Sequence, residues 1–200
     1  PVGMAGTTGT TDTTDIAGAA KFTGHLPGGT TLGVLGAVVE NAKADVRTSA
    51  GQDSQRELQP LTSFGVARVR QDVGPSGSYL GGFASWMRQA GPAGRAAQVQ
   101  ALDSRLKSHD RSSTLELTLA RSSAGSRGQP GLEGWAGRLR ANQQWRSGWS
   151  ADLQAWNLSR DFNPNDVGYL SRADERHLQG TFTKQWDEPG VLVQNWNASL

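Results

Sequence analysis

The sequence is dominated by segments in which apolar or small residues alternate with polar ones, one position at a time. Residues 15–26 show the pattern clearly: Phe22 and other apolar or small residues occupy every second position, with Lys21 and Thr23 between them. Side chains of a β-strand point to opposite faces in turn, so this period of two predicts strands with one apolar and one polar face. Such strands must cover their apolar faces with a second layer of protein or with lipid.

About ten segments of this kind follow one another along the chain. We predict strands over residues 15–26, 30–41, 61–72, 78–88, 96–106, 112–122, 132–143, 149–159, 175–186 and 191–200. A typical globular strand has ~5–6 residues, whereas a tilted strand that crosses a membrane needs ~9–11. The segments therefore have the length of membrane-crossing strands.

The connections between these strands are predicted to alternate in length. The short turns lie at residues 27–29, 73–77, 107–110, 144–148 and 187–190, and the longer polar segments at residues 42–60, 89–95, 123–131 and 160–174. In an outer-membrane-type barrel, tight turns gather at one rim and loops at the other. We therefore predict an all-β fold: an antiparallel up-and-down meander of about ten strands that forms at least part of an outer-membrane-type β-barrel.

Tryptophans lie at both ends of the predicted strands. Those beside the short turns are Trp145, Trp149 and Trp186, and those beside the longer segments are Trp86, Trp135 and Trp156. Indole rings favour the boundary between lipid and water, so two belts of tryptophan one strand apart are typical of a spanning barrel. Trp156 differs in parity from Leu153 and is expected to point to the barrel interior.

Composition agrees with many strands and turns. The chain has 26 glycines and 7 tryptophans but only 2 methionines, which suits short turns better than a helical core. No apolar run reaches the ~18 residues of a transmembrane helix. The net charge of +2 gives no support to nucleic-acid binding, and the absence of cysteine excludes disulfides and thiolate metal sites. Residues 1–14 are predicted to be a Thr/Gly-rich loop before a barrel domain over 15–200, which we expect to be truncated at both ends.

Charged residues of the predicted strands are assigned to the interior face. An unpaired charge on the lipid face costs about 2–4 kcal/mol at the membrane midplane. We therefore predict that Arg138 and Arg140, with Glu116 and Asp152, line the interior as a ladder of charges across neighbouring strands. These four residues are the candidate ligand-binding lining, against the alternative of a solvated or purely structural interior.

Several segments together resemble a bacterial family of domains of unknown function, the one numbered 5916. They are residues 18–24, 32–38, 61–72, 80–82 and above all 160–174, with its Asn-Asp-Val-Gly-Tyr-Leu sequence. The resemblance covers most of residues 15–190. It implies a barrel domain, which members commonly carry behind a carbohydrate-binding module of the family-nine type. That module is not present in these residues, so any sugar binding belongs to an attached neighbour.

The 160–174 segment is predicted to be a loop at the outer rim. Its family-motif residues are Asp161, Phe162, Asn163, Asn165, Asp166, Gly168, Arg172 and Asp174. Phe162 is expected to pin the loop, with Asn and Asp side chains making local turns, so that it packs inward or constricts the interior. A calcium loop is disfavoured, because Asp166 replaces the required glycine and Arg172 the bidentate glutamate.

Patterns of catalytic residues are weak. The three histidines are isolated, which argues against zinc, and no cofactor motif occurs. Ser108, His109 and Asp110 are the residue types of a catalytic triad, but adjacent residues in a turn do not align as nucleophile, base and orienting acid. We expect no metal, no cofactor and no catalysis by this segment.

The sequence therefore predicts a barrel in the bacterial outer membrane that acts as an anchor or conduit for an attached carbohydrate-binding or carbohydrate-processing module. Its expected partner is the lipid bilayer, with carbohydrate only through that module. Two alternatives stay open: a barrel-borne enzyme resembling a glycoside hydrolase, and a soluble β-rich adhesion or scaffold domain in the periplasm or outside the cell.

Overall fold

The structure is a computed structural model and describes residues 15–47, 53–129, 131–168, 170–186 and 196–199. Within these ranges the regular elements are all β-strands. They are β1 (Ile16–Leu26), β2 (Thr30–Val39), β3 (Ala42–Arg47), β4 (Asp53–Gln59), β5 (Thr62–Val73), β6 (Ser78–Gln89), β7 (Arg95–Lys107), β8 (Ser113–Ser126), β9 (Leu132–Gln144), β10 (Trp149–Leu158), β11 (Glu175–Trp186) and β12 (Trp196–Ser199).

Ten of these strands form one sheet in the order β1-β2-β5-β6-β7-β8-β9-β10-β11-β12, with every neighbouring pair antiparallel. The predicted up-and-down meander is confirmed, because each strand pairs with the next one along the chain, apart from the inserted hairpin of β3 and β4. Among the described residues, β1 and β12 are the two edges of the sheet and do not pair with each other. The sheet is open, so closure into a barrel stays a prediction.

The segment at residues 42–60 was predicted to be a loop, and this prediction is wrong. It contains the separate two-stranded sheet of β3 and β4. Two further connections are shorter than predicted: β6 ends at Gln89 and β7 begins at Arg95, while β8 runs on to Ser126 before β9 begins at Leu132. At the end of the sheet where long connections were predicted, only those at 40–61 and 159–174 are long. The predicted strict alternation of short and long connections therefore does not hold. Residues 1–14 and 187–195 lie outside the described residues.

The pairing register gives the sheet two chemically different faces. The apolar face is the one that carries Leu117, and on it Leu102, Leu119 and Leu139 lie on adjacent strands. Most of the exposed large apolar side chains of the strands share this face: Phe22, Leu26, Val34, Val38, Val69, Val73, Leu80, Trp86, Leu102, Leu106, Leu115, Leu117, Leu119, Trp135, Trp149, Leu153, Leu178 and Phe182. The opposite face, which carries Glu116 and Arg140, is the polar face.

Four of the five charged side chains on the apolar face lie within three residues of a strand end, and the fifth, Arg121, lies further inside its strand. The five are Arg88, Arg121, Glu133, Arg176 and Lys184. Arg121 and Glu133 form an ion pair of 2.6 Å. Lys184 reaches the turn at the end of its strand, where it donates a hydrogen bond to the carbonyl oxygen of Ser147 and lies 5.3 Å from the ring centroid of Trp149. A long cation that extends along apolar surface to a polar rim is typical of snorkelling.

The tryptophans follow the predicted pattern at both rims. Trp86 and Trp135 lie on the apolar face near the rim of the 159–174 connection, and Trp149 lies on the same face near the opposite rim. There Trp149 stacks on Phe182 with 4.7 Å between ring centroids. Trp156 shares the polar face with Arg138, as its parity predicted. Within the described residues, no helix is long and apolar enough to cross a membrane.

Candidate functional site: the polar face and the loop that covers it

The polar face carries a series of ion pairs within and between strands. Arg68 on β5 donates two hydrogen bonds to Asp103 on β7 across the glycine of β6, one of them 2.7 Å long. Gly81 makes this reach possible, because a Cβ atom there would lie 2.7 Å from the Asp103 carboxylate. Arg70 forms an ion pair of 2.8 Å with Asp72, which lies two residues further along the same strand.

The predicted ladder of Arg138, Arg140, Glu116 and Asp152 forms only in part. Arg140 and Asp152 pair at 3.2 Å between β9 and β10. Glu116 lies opposite Arg140 in the register of β8 and β9, but its carboxylate accepts hydrogen bonds from Arg105 on β7 at 2.7 Å. Arg138 has no ion pair or side-chain hydrogen bond among the described residues.

Tyr79 joins two of these arginines and was missed by the sequence analysis. The guanidinium of Arg70 lies 4.2 Å from the centroid of its ring, and that of Arg105 lies 5.7 Å away. The face of an aromatic ring attracts cations. The strand pairing places Tyr79 between Asp72 and Arg105, a neighbourhood that the parity of each strand alone does not reveal.

A cavity of about 390 Å³ opens beside Arg138 on the polar face. Its lining includes Thr118, Ala136, Gln154 and Trp156. Trp156 is stacked on His177 of β11, with 3.8 Å between ring centroids and 11° between planes. A second cavity of about 240 Å³ lies among the paired charges of Arg105, Glu116 and Arg140. The polar face is therefore not a uniform surface.

The 159–174 loop folds back over the polar face. Phe162 in this loop is only 7% exposed, and the backbone nitrogen of Asn163 donates a hydrogen bond of 2.9 Å to Ser122 Oγ on β8. The loop backbone passes so close to β9 that a Cβ atom on Gly134 would lie 2.1 Å from the nitrogen of Phe162. Gly134 and Ser122 are register partners, so the loop packs on the polar face of both strands.

Internal hydrogen bonds and one ion pair fix the shape of the loop. Asn163 Oδ1 accepts from the backbone nitrogen of Asn165 at 3.1 Å, and Asn165 Oδ1 accepts from that of Leu170 at 2.6 Å. Asp166 pairs at 2.8 Å with Arg95, which lies on the polar face of β7. The inward packing predicted from Phe162 matches this arrangement.

The remaining family-motif residues of the loop do not form a binding cluster. The exposed pair Arg160 and Asp174 approaches to 3.9 Å at the base of the loop, and the backbone of Asp174 is left-handed at φ 56°. In the described part of the chain, Asp161 and Arg172 make no ion pair or side-chain hydrogen bond. Gly168 lies close to the carbonyl oxygen of Pro164. The amide oxygens of Asn163 and Asn165 are used by the loop itself, and no group of metal-ligating side chains occurs among the described residues.

The residues at 108–110 form a turn instead of a catalytic relay. Ser108 Oγ donates directly to Asp110 Oδ1 at 2.6 Å, so His109 does not lie between them. The Ser108 hydroxyl, followed by the backbone nitrogen and hydroxyl of Ser112, lowers the pKa of Asp110 from 3.8 to about 2. The carboxylate closes the turn between β7 and β8.

We expect Asp110 to titrate near pH 2 in the folded protein. Because this folded-state pKa lies below the unfolded value, the carboxylate stabilises the fold above about pH 4, and this contribution is lost as the pH falls toward 2. NMR titration of the Asp110 carboxyl carbon measures this pKa directly. Ser108→Ala should raise it toward the usual value, whereas Ser147→Ala in another turn should leave it unchanged. A native titration near pH 4 would contradict the turn geometry.

The comparisons with known proteins bear on this arrangement. A family model described as Domain of unknown function (DUF5916) matches residues 6–200. The chain belongs to the DUF5916 family. No curated protein matches the chain, and no solved structure matches it either. The DUF5916 match covers the ten-stranded sheet and the 159–174 loop together, so sheet and loop are parts of one family domain.

Proposed function

We propose that this domain is a wall of an outer-membrane β-barrel, with the apolar face against lipid and the polar face toward the interior. The observation that carries the proposal is the uncovered apolar face, which extends over neighbouring strands from β1 to β11. Monomeric soluble proteins rarely expose contiguous apolar patches of more than a few hundred Å². Leu102 at 66% and Leu178 at 75% exposure show how open this face is.

Lipid fits this face better than a second protein sheet does. Strands β5 to β9 have 12 to 14 residues, longer than the ~5–6 of most globular strands and enough to cross a bilayer at a tilt. The apolar face carries tryptophans near both rims and keeps most of its charges near the strand ends, as the lipid-facing band of a barrel does. A soluble sandwich has no reason for either arrangement.

The polar face fits the interior of such a barrel. Most of its charged side chains are paired, three of the pairs lie between strands, and the 159–174 loop covers part of the face, so that Ser122 is only 1% exposed. A domain with these properties serves as an anchor or a conduit, and we propose no catalysis by it. An attached carbohydrate-binding module lies outside these residues and stays a prediction.

Membrane insertion tests the proposal. The natural gene product should float with lipid vesicles after an alkaline wash and require detergent to stay monodisperse. It should also migrate faster on SDS gels before heating than after it, because a closed barrel has no free edge from which to unfold. The boiled sample is the matched control. A product that stays monodisperse without detergent and does not float would overturn the proposal in favour of a soluble scaffold.

A further inference from the structure

The six arginines on the polar face differ in whether they pair with a carboxylate. Five of them pair with carboxylates: Arg68, Arg70, Arg95, Arg105 and Arg140. Arg138 is the exception within the described residues, and it lies beside a cavity of about 390 Å³. Glu116 and Asp152 are already engaged, by Arg105 and Arg140. Glu175, which makes no ion pair among the described residues, lies opposite Leu158 on the strand after next. Arg138 is therefore left without a bound carboxylate.

The rest of the cavity is mostly apolar. Ala120 and Ala136 lie two positions from Thr118 and Arg138 toward the 159–174 loop, and their small side chains leave the space open. Leu158 and Trp156 line the β10 side. His177 covers one face of the Trp156 ring, and Trp156 lines the cavity whereas His177 does not.

We propose that this cavity binds a small organic anion whose carboxylate pairs with Arg138 and whose flat apolar part packs against Trp156. A guanidinium matches a carboxylate with two parallel hydrogen bonds, which gives both strength and orientation. The volume lies in the usual range of small-molecule sites, ~300–1,000 Å³. This inference deepens the proposed function, on which it rests, by naming the class of solute that the interior recognises.

Benzoate is the test ligand, with two matched controls. Benzamide has the same ring and no charge, and acetate has the charge and no ring. Isothermal titration of the detergent-solubilised gene product should show benzoate binding more tightly than either control and weakening as salt is raised. Arg138→Gln should weaken benzoate binding about tenfold or more, and Trp156→Leu about two- to tenfold. Arg176→Gln removes a cation from the apolar face and should change nothing.

The outcomes separate this inference from the proposed function. Benzoate that binds no tighter than benzamide, or equally well to native protein and Arg138→Gln, would overturn the site even if the protein inserts into membranes. Benzoate binding that depends on Arg138 in a protein that needs no detergent would support the site while overturning the barrel. Arg138→Lys, which keeps the charge, provides a second variant if Arg138→Gln does not fold. Its affinity for benzoate should fall between that of the native protein and that expected without a charge at position 138.

Discussion

In the proposed barrel, replacing Leu153 by arginine is expected to destabilise the domain by about 2–4 kcal/mol, the cost of a charge on the lipid face at midplane. Leu153 lies in the middle of β10 on the apolar face and is 40% exposed. Its strand neighbours Ala141 and Gly180 offer no partner for a guanidinium. The measurements are the free energy of unfolding in urea, with the protein in lipid vesicles, and the fraction that migrates as folded before heating.

Gln154→Arg is the matched control for this variant. Gln154 is the next residue of the same strand but lies on the polar face, where its side chain donates to Asp152 at 3.0 Å. In the proposed barrel, an arginine there meets a carboxylate and the aqueous interior, so we expect a change in stability of less than about 1 kcal/mol. If both arginines cost the same, the apolar face does not contact lipid. If Gln154→Arg is the more damaging of the two, the faces are assigned the wrong way round.

The positions of the strands were predictable from sequence because the information is local. Alternation of side chains and the residues of tight turns are properties of short segments. The predicted segments 61–72 and 175–186 differ from β5 and β11 by at most one residue at either end. The hairpin of β3 and β4 was missed because Leu58 is the only apolar residue within 53–59, so that segment shows no alternation.

Predicting which side chains pair on the polar face requires the register between strands, and that register is not a property of any short segment. The sequence pattern predicts that Glu116 pairs with arginines of β9, yet β8 has a neighbouring strand on each side and the carboxylate pairs with Arg105 of β7. The tight turn between β7 and β8 sets that register and brings Arg105 and Glu116 opposite each other. Counting outward from the turn would have suggested this pair. The contact between Arg68 and Asp103 spans two strand intervals, and no count from a single turn predicts it.

Closure of the sheet depends on the whole chain and cannot be read from any one strand. The edges β1 and β12 pair on one side each among the described residues, and an unpaired edge is a site for further strand addition. Strand number, tilt and stagger must agree before a sheet closes. The period of two therefore predicts the faces of each strand, while membrane insertion and closure require the experiments proposed above.

Replacing Gly134 by alanine is expected to displace the 159–174 loop from the polar face. The added Cβ would lie 2.1 Å from the nitrogen of Phe162 and 2.3 Å from the carbonyl carbon of Asp161, where ordinary contacts are 3.4–4 Å. These are backbone atoms, so no rotation of a side chain relieves the clash. Displacing the loop exposes Phe162 and breaks the hydrogen bond from Asn163 to Ser122. Together these losses lower the free energy of opening the loop by about 2–4 kcal/mol.

Trypsin reports this opening, because the exposed Arg160 and Arg172 lie in the loop. The rate of cleavage of a locally opened segment follows the population of its open form. Cleavage should therefore accelerate by about tenfold for each 1.4 kcal/mol by which the free energy of opening falls. Gly180→Ala is the matched control: it is the same change in a strand of the same sheet, and a Cβ atom there meets nothing within 4 Å. Equal cleavage of the two variants would show that the loop does not pack against β9. Selective cleavage of Gly134→Ala identifies the loop as a separable cover on a sheet that stays folded without it.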